Sequence, residues 1–120
     1  MLTPQNMAEL AVKALDSKKA QDIKVLKTTD VTIIADYFVI CTASSTTQIK
    51  TLSDEVEKIL EENGESALHK EGFRGGGWVV LDFGCVIVHI FMDETRKFYN
   101  LERLWSDAQE VDIDHLLEQE

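Results

Sequence analysis

Residues 37–42 read Tyr37-Phe38-Val39-Ile40-Cys41-Thr42, an apolar run of aromatic and β-branched side chains with no polar alternation. A strand with one wet face alternates polar and apolar residues. A continuous run predicts a central strand covered on both faces. Just beyond it, Ser44, Ser45 and Thr46 offer N-caps to a helix with Ile49, Leu52, Val56, Ile59 and Leu60 as its buried stripe. Asn63-Gly64 is a strong helix stop.

Upstream, Thr3 caps a first helix with Pro4 at its first position, where the missing N–H costs nothing. Met7, Leu10, Ala11, Ala14 and Leu15 recur at helical spacing, and residues 22–27 alternate as a first strand. Residues 28–32 read as a connection. Downstream, residues 66–70 suggest a short strand and residues 72–77 a loop. Residues 78–81 and 85–91 flank Asp82-Phe83-Gly84, a hairpin signal. The expected turn is a three-residue loop with Gly84 in the left-handed region. It pairs Leu81 with Cys85 and Val79 with Ile87, which puts His89 on the face of Leu81 and Trp78 on the other. A two-residue turn places Trp78 beside His89 instead. Short helical segments are expected from Asp93 and from Leu101. Past Ser106 the apolar content falls, leaving Val111, Ile113, Leu116 and Leu117 for a weak amphipathic helix.

At 120 residues and 44% hydrophobic, the chain fits one domain. A chain this long buries roughly two-thirds of its unfolded surface and needs no disulfide or metal staple. The net charge of −10 is local. Residues 54–71 hold seven acids and two lysines, and residues 110–120 hold five acids and no Lys or Arg, so each segment is −5 and the remainder is neutral. The first patch reads as the solvated face of the second helix. This balance argues against a phosphate-backbone binder, which presents a clustered basic face. Cys41 and Cys85 lie in apolar runs and read as buried thiols in a reducing compartment. Residues 1–6 lack the basic and apolar regions of a signal peptide, and no apolar run approaches the ~18 residues of a membrane span. A cytoplasmic protein without membrane contact is expected.

Three motifs carry little chemistry. The glycines of Arg74-Gly75-Gly76-Gly77 fit neither phosphate-loop nor dinucleotide spacing and lead into a strand. His89, among Val, Ile and Phe, has no evident nucleophile, so it reads as a structural or interface histidine. Asp112-x-Asp114 resembles a metal-binding carboxylate pair but lies in the acidic tail, where a rigid cage is not expected. No metal or cofactor is expected. The aromatic set Trp78, Phe98, Tyr99 and Trp105 is more informative, because Trp and Tyr are favoured interface anchors. Arg96, Lys97, Glu102 and Arg103 could rim it.

Three blocks in order carry a resemblance: Asp36-Tyr-Phe-Val-Ile-Cys-Thr-Ala-Ser-Ser45, Gly77-Trp-Val-Val-Leu-Asp-Phe-Gly-Cys-Val-Ile-Val-His-Ile-Phe91, and Arg96-Lys-Phe-Tyr-Asn-Leu-Glu-Arg-Leu-Trp105. Together they resemble the ribosomal silencing factor, or Iojap, family over about residues 7–105. The resemblance implies an α/β fold, a single domain over residues 1–105 with a mixed five-stranded sheet and nucleotidyltransferase-like topology. Residues 106–120 are then an acidic C-terminal tail, which varies in the family. It implies a translational repressor that binds the large ribosomal subunit through ribosomal protein L-fourteen and sterically blocks joining of the small subunit when nutrients are scarce. Catalysis is not implied, and homodimers are.

The matched blocks make Trp78, Leu81, Asp82, His89, Tyr99, Glu102 and Trp105 the expected partner-binding residues. Trp78 and Tyr99 are the apolar anchors. Asp82 and Glu102 would meet Arg or Lys on the partner. Cys85 departs from the pattern, standing where members often carry an acid. An alternative reading, a nucleotidyltransferase-like enzyme acting on a nucleotide, follows from the implied topology and requires carboxylates clustered at a strand end.

Overall fold

The computed structural model describes residues 3–29, 35–72, 77–100, 103 and 106–117. Its first helix, α1 (Pro4–Ser17), starts where the Thr3 side chain accepts from the backbone N–H of Asn6. Met7, Ala8, Ala11, Val12, Ala14 and Leu15 are buried along it. Strands β1 (Gln21–Lys27) and β2 (Tyr37–Ala43) pair antiparallel. The Thr28 hydroxyl ties the ends of their connection together by donating to the carbonyl of Ala35 at 2.8 Å.

Helix α2 (Thr46–Glu62) is capped by Ser45, which accepts from the Gln48 N–H, and ends at Asn63 with Gly64 at φ +89°. Gln48 also locks the two helices. Its Nε2 donates to the carbonyls of Lys18 and Lys19, each at 3.1 Å. The acids along α2 line its outer face. Lys70 reaches Glu57 at 2.8 Å and Asp54 at 4.0 Å, partly exposed pairs that add little stability. Strands β3 (His69–Gly72), β4 (Trp78–Asp82) and β5 (Val86–Met92) follow, then helix α3 (Asp93–Tyr99).

Among the described residues the sheet has six strands, not five, in the order β3-β4-β5-β2-β1-β6. Only β2 and β5 run parallel, so the sheet is mixed, and β2 sits inside it as its apolar run demands. The sixth strand, β6 (Gln109–Val111), comes from the expected tail and pairs with β1. A 3₁₀ turn, Asp114–Leu116, replaces the expected amphipathic helix, and Ile113 is buried beneath it. Three residues of strand suffice because β1 supplies a ready ladder edge, which no local propensity signals.

Helices α1 and α2 cover one sheet face. Their core takes Val25, Val39, Cys41, Leu81, Val86, Val88 and Ile90 from the strands. The opposite face gathers Leu26, Phe38, Ile40, Ile87 and Phe91, with Trp78 and Val80 packed against them.

The β4–β5 turn differs from expectation. Asp82 pairs with Ile87, Val80 with His89 and Trp78 with Phe91. The loop is therefore the two residues Gly84 and Cys85, closed by the Phe83 N–H donating to the Val86 carbonyl at 2.9 Å. Gly84 holds φ +88° at the first central position, a conformation that favours glycine, as in a type II′ turn. Asp82 Oδ1 accepts from the Gly84 N–H at 2.8 Å and braces the turn. Packing selects this register. It pairs the aliphatic sets Val79/Leu81 and Val88/Ile90 under the helices and leaves the aromatics and His89 together on the other face.

Among the described residues, no helix is long and apolar enough to cross a membrane.

Candidate functional site: an aromatic face

The second sheet face carries one cross-strand row of Thr42, Phe91 and Trp78 and a neighbouring row of Ile40, His89 and Val80. Phe91 is fully buried, and Trp78 stacks on it with ring centroids 4.8 Å apart and planes inclined by 26°. Tyr99, at the end of α3, lies 4.7 Å from the Trp78 ring, and Phe98 meets Tyr99 edge-on at 5.0 Å. Phe98 is 80% exposed and Tyr99 49%, so two large rings stand in water beside a half-buried tryptophan. Exposed aromatics grouped this way mark interaction surfaces.

His89 is 8% exposed beneath this group. Its Nδ1 accepts from the Trp78 indole N–H at 3.3 Å, and Phe38 packs edge-on at 5.3 Å. Its neutral ring therefore carries the proton on Nε2, a buried atom that meets no hydrogen-bond partner among the described residues. Burial lowers its pKa to about 4 from an ordinary 6.5. The depressed value gives the sign of the pH dependence. Between the two values the unfolded chain binds more protons than the folded one, so stability is full above pH 6.5 and falls as pH drops toward 4. From pH 7 to pH 5 the loss from this group is about 2 kcal/mol. Urea denaturation across that range, with His89→Gln flattening the slope, checks it. An unaltered slope in the variant would refute the assignment.

The sequence-derived residues separate. Trp78, His89 and Tyr99 come together. Asp82 lies on β4 at the turn end of the same face, its carboxylate engaged by Gly84. Leu81 does not join them. It is fully buried on the opposite face, in the core beneath α1 and α2, and presents no surface to a partner. Glu102 and Trp105 lie outside the described residues, as do Phe73, Arg74, Gly75 and Gly76 of the glycine loop. Arg96, expected in the polar rim, is buried instead. Phe38, Val80 and Phe91, the floor of the site, were legible only as strand residues. Their common face becomes visible once the β4–β5 register is known.

Among the described residues, no group of three His, Cys, Asp or Glu side chains converges to hold a metal. Asp112 and Asp114 are exposed, and the Asp112 carboxylate accepts from the Asp114 backbone N–H at 3.0 Å. Burial pushes the Cys41 thiol pKa up to about 12, outweighing the opposing influence of Arg96. Cys85 is only partly buried, and its pKa is also raised, chiefly by burial. Both thiols are therefore protonated and poor nucleophiles near neutral pH.

Fold and surface together define an α/β protein of one compact domain with an aromatic face left open on one side of its sheet. The family model "Ribosomal silencing factor during starvation" matches residues 2–120, and the chain belongs to that family. The ribosomal silencing factor of Halalkalibacterium halodurans is 36% identical over 116 residues, 97% of this chain and 99% of its own length. A crystal structure of a Chromobacterium violaceum protein superposes with a TM-score of 0.84 at 32% identity, covering 92% of each chain. More distantly, the mouse protein named mitochondrial assembly of ribosomal large subunit protein 1 is 30% identical over 101 residues, 82% of this chain and 44% of that protein.

Proposed function

We infer that this chain is a translational repressor that docks its aromatic face on the large ribosomal subunit, through ribosomal protein L-fourteen, and so blocks joining of the small subunit in the cytoplasm. The observation that carries this reading is the stack of Trp78 on buried Phe91, with Tyr99 and Phe98 exposed beside it. Membership of the ribosomal silencing factor family, together with a relative named for assembly of the ribosomal large subunit, supports the ribosome as the partner. The net charge of −10 suits a basic partner, speeding encounter while the aromatics supply most of the affinity. Asp82, Glu102 and Trp105 belong to the proposed contact, and Leu81 does not. The nucleotidyltransferase-like topology and a homodimer are further expectations of the family resemblance. The enzyme alternative needs clustered carboxylates, and no observation favours it.

Co-sedimentation tests the reading. The chain is expected to travel with free large subunits and not with joined ribosomes, and Tyr99→Ala is expected to weaken binding by more than about 1 kcal/mol. Equal recovery with both particles would overturn the subunit-joining mechanism.

A further inference from the structure

Helix α3 is seven residues long, and no side chain caps its N-terminus. A helix this short does not hold itself in water. Yet it carries Phe98 and Tyr99, the exposed half of the aromatic face. Its one buried side chain is a charged one, Arg96, at 8% exposure. Arg96 Nη1 donates to the backbone carbonyl of Asp22 and to the hydroxyl of Thr42, both at 2.7 Å.

Both acceptors are fixed by the sheet. The β1–β2 register slips by one residue between Gln21 and Lys24, a bulge in which Asp22 holds φ +47°. A bulge takes a residue out of the ladder and leaves its backbone groups to other partners. Thr42 lies in the same cross-strand row as Phe91 and Trp78. Arg96 therefore grips one end of that row. Tyr99, three residues later and so on the same side of the helix, closes on Trp78 at the other end.

We propose that Arg96 is the positioning residue of the aromatic face: its bonds to Asp22 and Thr42 hold α3 at the height where Tyr99 stacks on Trp78. Arg96 then supports partner binding without contacting the partner. The binding part of this inference rests on the function proposed above. The positioning part concerns the free protein alone.

The test uses the full chain and purified large subunits. Arg96→Met keeps an apolar stem and removes the guanidinium that makes both bonds. In the free protein its Trp78 indole N–H resonance is expected to move toward the position seen in Tyr99→Ala, because the Tyr99 ring current is lost. Binding is expected to weaken about tenfold in the otherwise unaltered chain and less than about twofold when Tyr99 is already alanine. Should Arg96→Met not fold, Arg96→Lys keeps the charge with a shorter reach, and Thr42→Val removes one acceptor. Each should give a smaller shift in the same direction. An unmoved Trp78 resonance overturns the proposal, and so does an equal loss of affinity with and without Tyr99. If the unaltered chain does not bind large subunits, the proposed function falls, and the resonance comparison still decides whether Arg96 positions α3.

Discussion

Phe91→Ala lowers the unfolding free energy by about 3–5 kcal/mol, the range for emptying a fully buried aromatic site. Phe91 has no exposed surface, and the rings of Trp78 and His89 lie parallel to it within 26° and 9°. A methyl group in its place leaves both rings without a floor. The cavity closes poorly because β5 is flanked by strands on both sides and cannot sag into it. Urea denaturation measures the change, with an unaltered m-value showing that the loss is one of stability. The control is Phe98→Ala. Phe98 is the most exposed large side chain of the face, and its removal shifts stability by less than about 0.5 kcal/mol. A comparable loss in both variants would mean that the face is packed as core.

Trp78→Ala has the largest expected effect on binding. The indole contacts Phe91, Tyr99 and His89 and donates to His89 Nδ1, so it is the hub of the exposed surface. Central, water-excluding tryptophans are the residues whose truncation costs 2 kcal/mol or more, a loss of at least about thirtyfold in affinity. Large-subunit binding by Trp78→Ala should fall by that factor or more. Trp78→Phe, which keeps the stack and loses the indole N–H, should fall less. Circular dichroism on the same samples separates lost contact from lost fold. Binding unchanged in Trp78→Ala would remove the aromatic face as the docking surface.

Part of this site was legible in the sequence. The local density of Trp78, Phe98 and Tyr99 singles out a candidate interaction surface before any fold is known. Cooperation between Trp78 and His89 was not legible, because it depends on one residue of hairpin register. Asp82-Phe83-Gly84 permits a two- or a three-residue loop by local chemistry alone. The choice is made by helices α1 and α2, whose apolar sides accept Leu81 and Val88 together and not Leu81 and His89. The same choice buries Leu81 and removes it from the proposed interface. Arg96 was misplaced for a related reason. An arginine in a polar-looking segment reads as exposed, and acceptors that help it to be buried, at the β1 bulge and at Thr42, lie 74 and 54 residues away in the chain.

The sequence by itself determined the elements whose signals are local. These are the helix started by Thr3 and Pro4, the helix between Ser45 and Gly64, the buried strand from Tyr37, and the presence of a hairpin at Gly84. Caps, periodicity and apolar runs act over a few residues and survive in the bare chain. Only the tertiary structure decided the hairpin register, the sixth strand Gln109–Val111 and the burial of Arg96. Each is settled by a partner far away in the chain. The energy that selects it, whether a ladder edge, a shared core or a pair of hydrogen-bond acceptors, exists only once those distant segments have come together.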